Sequence, residues 1–143
     1  MTEAIKIIKG HRGMGKTVRG EVLSANDGFS ARYDLDRQQG VFSRPKHKLY
    51  QQNYVDKILV LNMAKGGVAS AWMLHQMASM NKAPKSLLFN FVNPVIAQGA
   101  CLAGISILDR FDCGDITAEL RTGDIVEVEP EAGEVRILER ALT

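Results

Sequence analysis

Lys65, Gly66, Gly67 and Ser70 stand where an apolar run, Lys57–Asn62, gives way to a second apolar stretch from Val68 onward. Read as strand, glycine loop and helix, this junction is a ready anion site. The first N–H groups of a helix have no intrahelical partner, and the helix dipole adds partial positive charge there. Gly66 and Gly67 let a ligand approach the backbone closely, and Lys65 adds a full charge. Carboxylate or phosphate binding is the chemistry this supports. Ser70 adds a hydroxyl that can move a proton if a lysine, a metal or a low-dielectric pocket activates it. As plain structure, Ser70 is a first-turn helix residue and Lys65 a solvated loop lysine.

A second glycine loop, Gly10-His-Arg-Gly-Met-Gly15-Lys16-Thr17, satisfies the phosphate-loop pattern letter for letter. That pattern works only when a helix comes directly after it, so that the loop amides and the helix start cradle phosphates. Here Val18-Arg-Gly-Glu-Val-Leu-Ser24 comes next, with a glycine and β-branched residues, and it reads as a strand. No convincing acidic strand for magnesium accompanies it: Ile58–Leu61 ends in Asn62, and Gly104–Asp109 fits weakly. The loop is expected to be a turn between two strands, with a nucleotide-binding protein kept as an alternative.

Other reactive residues are scattered. His47, in Arg44-Pro-Lys46-His47-Lys48, is either a proton carrier or an exposed loop histidine beside cations. His75 lies mid-helix and is expected to face a packing neighbour. Trp72, Met73, Met77 and Met80 read as core, or else as an adhesive face for a larger partner. Cys101 and Cys113 lack metal-ligand spacing; Cys101 reads as a core residue and Cys113 as exposed.

The elements that must position these groups can be read from pattern. The 143 residues are 45% hydrophobic and 24% charged, with net charge +2, which suits one compact domain over residues 1–143. Mixed signs leave no electrostatic footprint for nucleic acid. No apolar run reaches membrane-spanning length and no signal peptide opens the chain, so a cytoplasmic location is expected. Strands are expected at Ile5–Ile8, Val18–Ser24, Phe29–Tyr33, Val41–Ser43, Lys57–Asn62, Ser86–Val92 and Ile105–Leu108, with turns at Asn26–Gly28 and Asp36–Gly40. Helices are expected over Val68–Asn81 and from Pro94, capped by Asn93, to about Ala103 with Gly104 closing it. Leu120–Asp124 reads as a turn, and Ile125–Glu129 with Glu134–Leu138 as a hairpin around Pro130–Gly133. Two strand–helix–strand crossovers imply a parallel layer. Two helices can cover only one of its faces, so the fold class is α/β, a layered β/β/α domain with a parallel strand–helix core flanked by β-strands.

The ordered series of motifs resembles the swivelling domain of the aconitase X group. It runs through Gly20-Glu-Val-Leu23, Gly28-Phe-Ser30, the Asp36 to Gly40 turn, Arg44 and His47-x-Leu49. It continues with Lys57-Ile-Leu-Val, Lys65-Gly66-Gly67, Lys82-Ala-Pro84, Pro94 to Ala100, Ala103 to Ile107 and Leu120 to Val128. The resemblance implies a swivelling β/β/α fold and a dehydratase acting on a hydroxy acid such as mevalonate 5-phosphate or cis-3-hydroxy-L-proline. It implies a large catalytic subunit that carries an iron or iron–sulfur centre, with no metal held by this chain. It brings Ser30, Arg32, Arg44 and His47 toward the Lys65–Gly67 cleft as substrate-binding candidates and makes Ser70 the candidate catalytic serine. Family members place a serine-rich run after Gly-Lys/Arg-Gly, whereas here Gly67 stands after Lys65-Gly66 and Ser70 is the first serine. On this reading the isolated chain is inactive and is able to self-associate. The rival is a non-catalytic swivelling module that binds an anion or a protein.

Overall fold

The computed structural model describes residues 4–142. Its elements in chain order are β1 (Lys6–Lys9), β2 (Val18–Ser24), β3 (Leu35–Asp36), β4 (Val41–Phe42), β5 (Ile58–Met63), α1 (Val68–Ser79), β6 (Ser86–Phe91), α2 (Pro94–Leu102), β7 (Ser106–Asp109), α3 (Ile116–Glu119), β8 (Ile125–Glu129) and β9 (Glu134–Glu139). Seven strands form one sheet in the order β1-β9-β8-β2-β5-β6-β7, and β3-β4 is a separate small hairpin.

The expected crossovers are present. β5, β6 and β7 pair in parallel, Leu59 opposite Leu87 and Leu88 opposite Leu108. Their side chains are apolar on both faces, as strands buried on both sides must be. α1 and α2 cover one face, where Leu74, Met77, Ile96 and Ala100 pack on Leu59, Leu61, Leu87 and Phe89. The β3-β4 hairpin adds Leu35 and Phe42 to this core. The antiparallel strands β1, β9 and β8 supply the other layer. Ile8, Val126, Val128, Val135 and Ile137 pack on Ile58, Val60, Leu88 and Leu108. β2 joins the layers, pairing antiparallel with β8 along Val18–Glu21 and parallel with β5 along Val22–Ser24.

Local signals place most elements. The Asn93 side chain accepts the Ile96 amide (3.0 Å), with Pro94 in the first turn, and Gly104 (φ +76°) comes after α2. Asp36 accepts the amides of Gln38 and Gln39 (both 3.1 Å), turning β3 into β4 through Gly40 (φ +75°). Other expectations need correction. Phe29–Tyr33 is no strand: Phe29 bridges Ala64, and the chain then turns back through Asp34, whose amide donates to the Ser30 carbonyl (3.0 Å). α1 ends at Ser79, with Asn81 in the left-handed region (φ 58°). α3, capped by the Asp115 side chain, has no counterpart in the sequence pattern; four residues carry too little periodicity to reveal it.

The Gly10–Thr17 segment has a structural task. It runs as a strap along the free edge of β7, where Met14 and Ile107 exchange backbone hydrogen bonds (3.2 and 3.0 Å) and the His11 amide donates to the Asp109 carbonyl (3.1 Å). The glycines allow this approach. A Cβ at Gly13 would stand 1.8 Å from the Ile107 carbonyl oxygen, and one at Gly15 (φ +112°) 2.7 Å from Ser106 Cα. Lys16 is exposed, and the element after Thr17 is a strand.

Candidate anion site

Backbone pairing builds the site before any side chain enters. Beyond β5 the Phe29 amide donates to the Met63 carbonyl (2.9 Å), and the Lys65 amide donates to the Phe29 carbonyl (2.7 Å). Gly28–Ser30 therefore lies alongside Met63–Lys65. The Lys65–Gly67 loop then turns into α1, and Gly66 has φ +111°, a backbone conformation that suits glycine. A Cβ at Gly66 would meet Ser70 Oγ at 2.1 Å, whereas a Cβ at Gly67 would meet nothing within 4 Å. One glycine makes room for the serine hydroxyl, and the other leaves the helix start open. Asn93 steadies the loop from α2, its side-chain amide donating to the Gly66 carbonyl (3.3 Å).

These segments enclose a cavity of about 420 Å³. Ser30, Arg32, Arg44, Lys65, Gly66, Gly67 and Ser70 all line it, brought together from three stretches of sequence. Tyr33 and Asp34, which no sequence signal marks, line it too. The Arg32 guanidinium lies over the Tyr33 ring, 5.4 Å from its centroid. Arg44 Nε donates to Asp34 Oδ1 (2.5 Å). Lys65 has no acidic partner within 4 Å among the described residues. Three cations thus face one carboxylate at the start of a helix.

His47 lies elsewhere. Its loop position suggests exposure, but it is 3% exposed and lies behind the cavity wall, not on it. Its Nδ1 accepts the Leu49 amide (3.0 Å), so Nε2 carries the proton and donates to the Gly28 carbonyl (2.7 Å). The ring stacks on Phe42 at 4.6 Å between centroids. Local spacing could not reveal this, because the partners lie 19 residues back and in a separate hairpin. Beside it, burial pushes the Asp27 carboxyl up, but the amides of Lys48 and Gly28 donate to it. With the Arg44 charge they hold it below the usual carboxylate range.

Other expectations about side chains are also revised. Cys101 is exposed and Cys113 half-buried, the reverse of the sequence reading. Trp72 is 67% exposed on α1, with His75 against it edge-on (6.0 Å), while Met77 is fully buried. Val68, Trp72, His75, Val95 and Leu102 border a shallow groove between α1 and α2. Among the described residues there is no group of three or more His, Cys, Asp or Glu that could hold a metal ion. No helix among them is long and apolar enough to cross a membrane.

The family profile described as aconitase X swivel domain matches residues 7–137. The chain belongs to the aconitase X swivel-domain family. It is 31% identical to the phosphomevalonate dehydratase small subunit of Thermococcus sibiricus, over 92% of this chain and 98% of that one. The protein of the same name from Methanococcoides burtonii is also 31% identical, over 85% of this chain and 88% of that one. A crystal structure of Thermococcus kodakaraensis aconitase X in its holo form superposes with a TM-score of 0.85 at 28% identity, covering 94% of this chain and 99% of that one.

Proposed function

We propose that this chain is the small subunit of an aconitase-X-type hydro-lyase, and that it binds the anionic groups of a phosphorylated hydroxy acid, of which mevalonate 5-phosphate is the leading example. The relatives named as phosphomevalonate dehydratase small subunits support the reaction class. The observation that carries the substrate class is the charge of the cavity: Arg32, Arg44 and Lys65 line it with Asp34, and Asp27 stands 3.9 Å from Arg44 off the lining, beside the start of α1. A substrate with both phosphate and carboxylate suits that field. A zwitterion such as cis-3-hydroxy-L-proline would bring its ammonium against three cations.

Elimination of water takes a proton from one carbon and a hydroxide from its neighbour, forming a double bond. Lys65 and the first amides of α1 would hold the phosphate, and Arg44 and Arg32 the carboxylate. Ser70 Oγ, packed against Gly66, would hold or move the proton. His47 acts from behind by fixing the Gly28 carbonyl and with it the Gly28–Ser30 wall. The resemblance expects an iron or iron–sulfur centre in the large subunit. There it would act as a Lewis acid on the leaving hydroxyl.

A larger catalytic partner is implied by the names of the relatives. It is also supported by α1 and α2, which carry no charged residue and expose Trp72, Val68, Val95 and Leu102 beside the cavity. Charge depletion with exposed aromatic and aliphatic side chains is typical of interface cores. The test is dehydration by the chain combined with its large subunit, comparing mevalonate 5-phosphate with cis-3-hydroxy-L-proline. Turnover of the phosphorylated acid is expected. Turnover of the imino acid alone would overturn the substrate class.

A further inference from the structure

Asp34 is spent entirely on joining two walls of the cavity. It is 4% exposed. Its Oδ2 accepts the Ser30 amide (2.9 Å), and its Oδ1 accepts Arg44 Nε. Its own amide donates to the Ser30 carbonyl (3.0 Å), and its carbonyl accepts the amides of Ser43 (2.8 Å) and Arg44 (3.3 Å). A buried carboxylate with these partners is locked, because each lone pair that moved away would leave a donor unpaired.

The consequence falls on Arg44. Its guanidinium is planar and rigid, so a bond fixed at Nε also fixes the plane of the two Nη groups. Asp27 stands farther off, 3.9 Å from Nη2, too long for a hydrogen bond. The side chain is 37% exposed and lines the cavity, so the Nη edge remains available to a ligand. Two parallel N–H donors in a fixed plane match a carboxylate. Lys65, by contrast, carries a compact charge on a flexible stem and lines the cavity with the loop that opens α1, a setting that suits a phosphate.

We propose that Asp34 is a positioning residue for substrate carboxylate recognition, acting through Arg44 and leaving phosphate recognition at the Lys65 loop untouched. This rests on the anion-site reading above. It can be tested without turnover, so that failure of the substrate assignment and failure of the positioning idea remain distinct. The full isotope-labelled chain is titrated by NMR with two probes, citrate for carboxylates and inorganic phosphate for the loop. Wild type is compared with Asp34→Asn, Arg44→Gln, Arg44→Lys and the Asp34→Asn/Arg44→Gln double variant. Asp34→Asn and Arg44→Gln should each weaken citrate binding by about tenfold or more, and the double variant no further, because the two residues act as one unit. Phosphate affinity should stay within about twofold of wild type, since charge-assisted contacts at the loop are retained. Arg44→Lys leaves Asp34 with a cation for a partner, so it tests the idea even if Asp34→Asn fails to fold. It should lose citrate as Arg44→Gln does, because an ammonium cannot bond Asp34 and present a second planar edge. Multiplying effects in the double variant would overturn the proposal. So would equal losses for citrate and phosphate, or full citrate affinity in Arg44→Lys. In the two-subunit enzyme, the same variants should raise KM far more than they lower kcat.

Discussion

The two glycine loops share letters and oppose each other in use. In Gly10–Thr17 the glycines remove side chains so that backbone can lie against backbone, with a Cβ at Gly13 only 1.8 Å from the Ile107 carbonyl oxygen. In Lys65–Ser70 they shape a helix start, and Gly67 has open space around it. The first loop holds a sheet edge; the second leaves amides and a lysine facing a cavity. A glycine pattern therefore signals close approach but not the identity of the approaching group. The next element in the chain decides that: a strand after Thr17, a helix after Gly67.

The sharpest way to break this comparison is one methyl group placed in each loop. Gly13→Ala must lift the strap from β7, because the clash is with backbone. It should cost about 3 kcal/mol or more, the upper range of overpacking, measured by urea unfolding. Gly67→Ala places its methyl in open space but at the N-cap of α1, so it should cost only about 1 kcal/mol, the scale of a capping change, while weakening phosphate binding. A stability loss in Gly67→Ala equal to that in Gly13→Ala would remove the distinction.

The candidate catalytic loop is sharpened next by Ser70→Ala and Lys65→Ala in the two-subunit enzyme. Ser70→Ala should lower kcat by about 100-fold or more if its hydroxyl moves the proton. Lys65→Ala should mainly raise KM, by about tenfold, as the loss of a ground-state charge contact does. Near-normal kcat in Ser70→Ala would leave the loop as an anion clamp and move the base to the large subunit. Lys16→Ala, the matching change in the strap, should alter stability by less than about 0.5 kcal/mol and activity not at all, because its side chain is exposed. Magnesium-dependent ATP binding lost with Lys16 would reverse the roles of the two loops.

The smallest effect concerns pH. Asp27 is held below its ordinary value of 3.8, so its folded form favours the ionised carboxylate. That contribution to stability is fully present above about pH 4 and is lost as pH falls through the lowered folded value. Asp27→Asn should flatten the acid limb of a stability–pH curve in that window and leave the neutral region nearly unchanged. An unchanged acid limb would show that the wall around Lys48 and Gly28 does not depend on this charge.

Residues alone disclose the features that a few neighbours decide. Asn93 with Pro94, the Asp36 turn, Gly133 in the hairpin and the Val68 helix start all rest on contacts within a few positions, and all are present. The gathering of Ser30, Arg32 and Arg44 around Lys65 is legible only through the family resemblance, since the pairing of Phe29 with Ala64 has no local mark. Asp34 and the burial of His47 escape because the partners that decide them, Arg44 for the one and Gly28 for the other, lie ten and 19 residues away. The exposure of Cys101 and Trp72 escapes for a different reason. α1 and α2 lack charge on every side, so their sequences do not say which face looks outward.

The strand that begins the sheet waits for the strand that completes it. Among the described residues β1 pairs only with β9, Lys6 opposite Ile137 and Lys9 opposite Glu134, and the strap after it rests on Ile107. During synthesis β1 therefore emerges with no partner in the sheet until β9 has left the ribosome. The parallel core and its helices can form earlier, from residues made in sequence. The Lys65–Ser70 loop belongs to that early part, so a nascent chain would hold this loop nearly finished before its back layer closes.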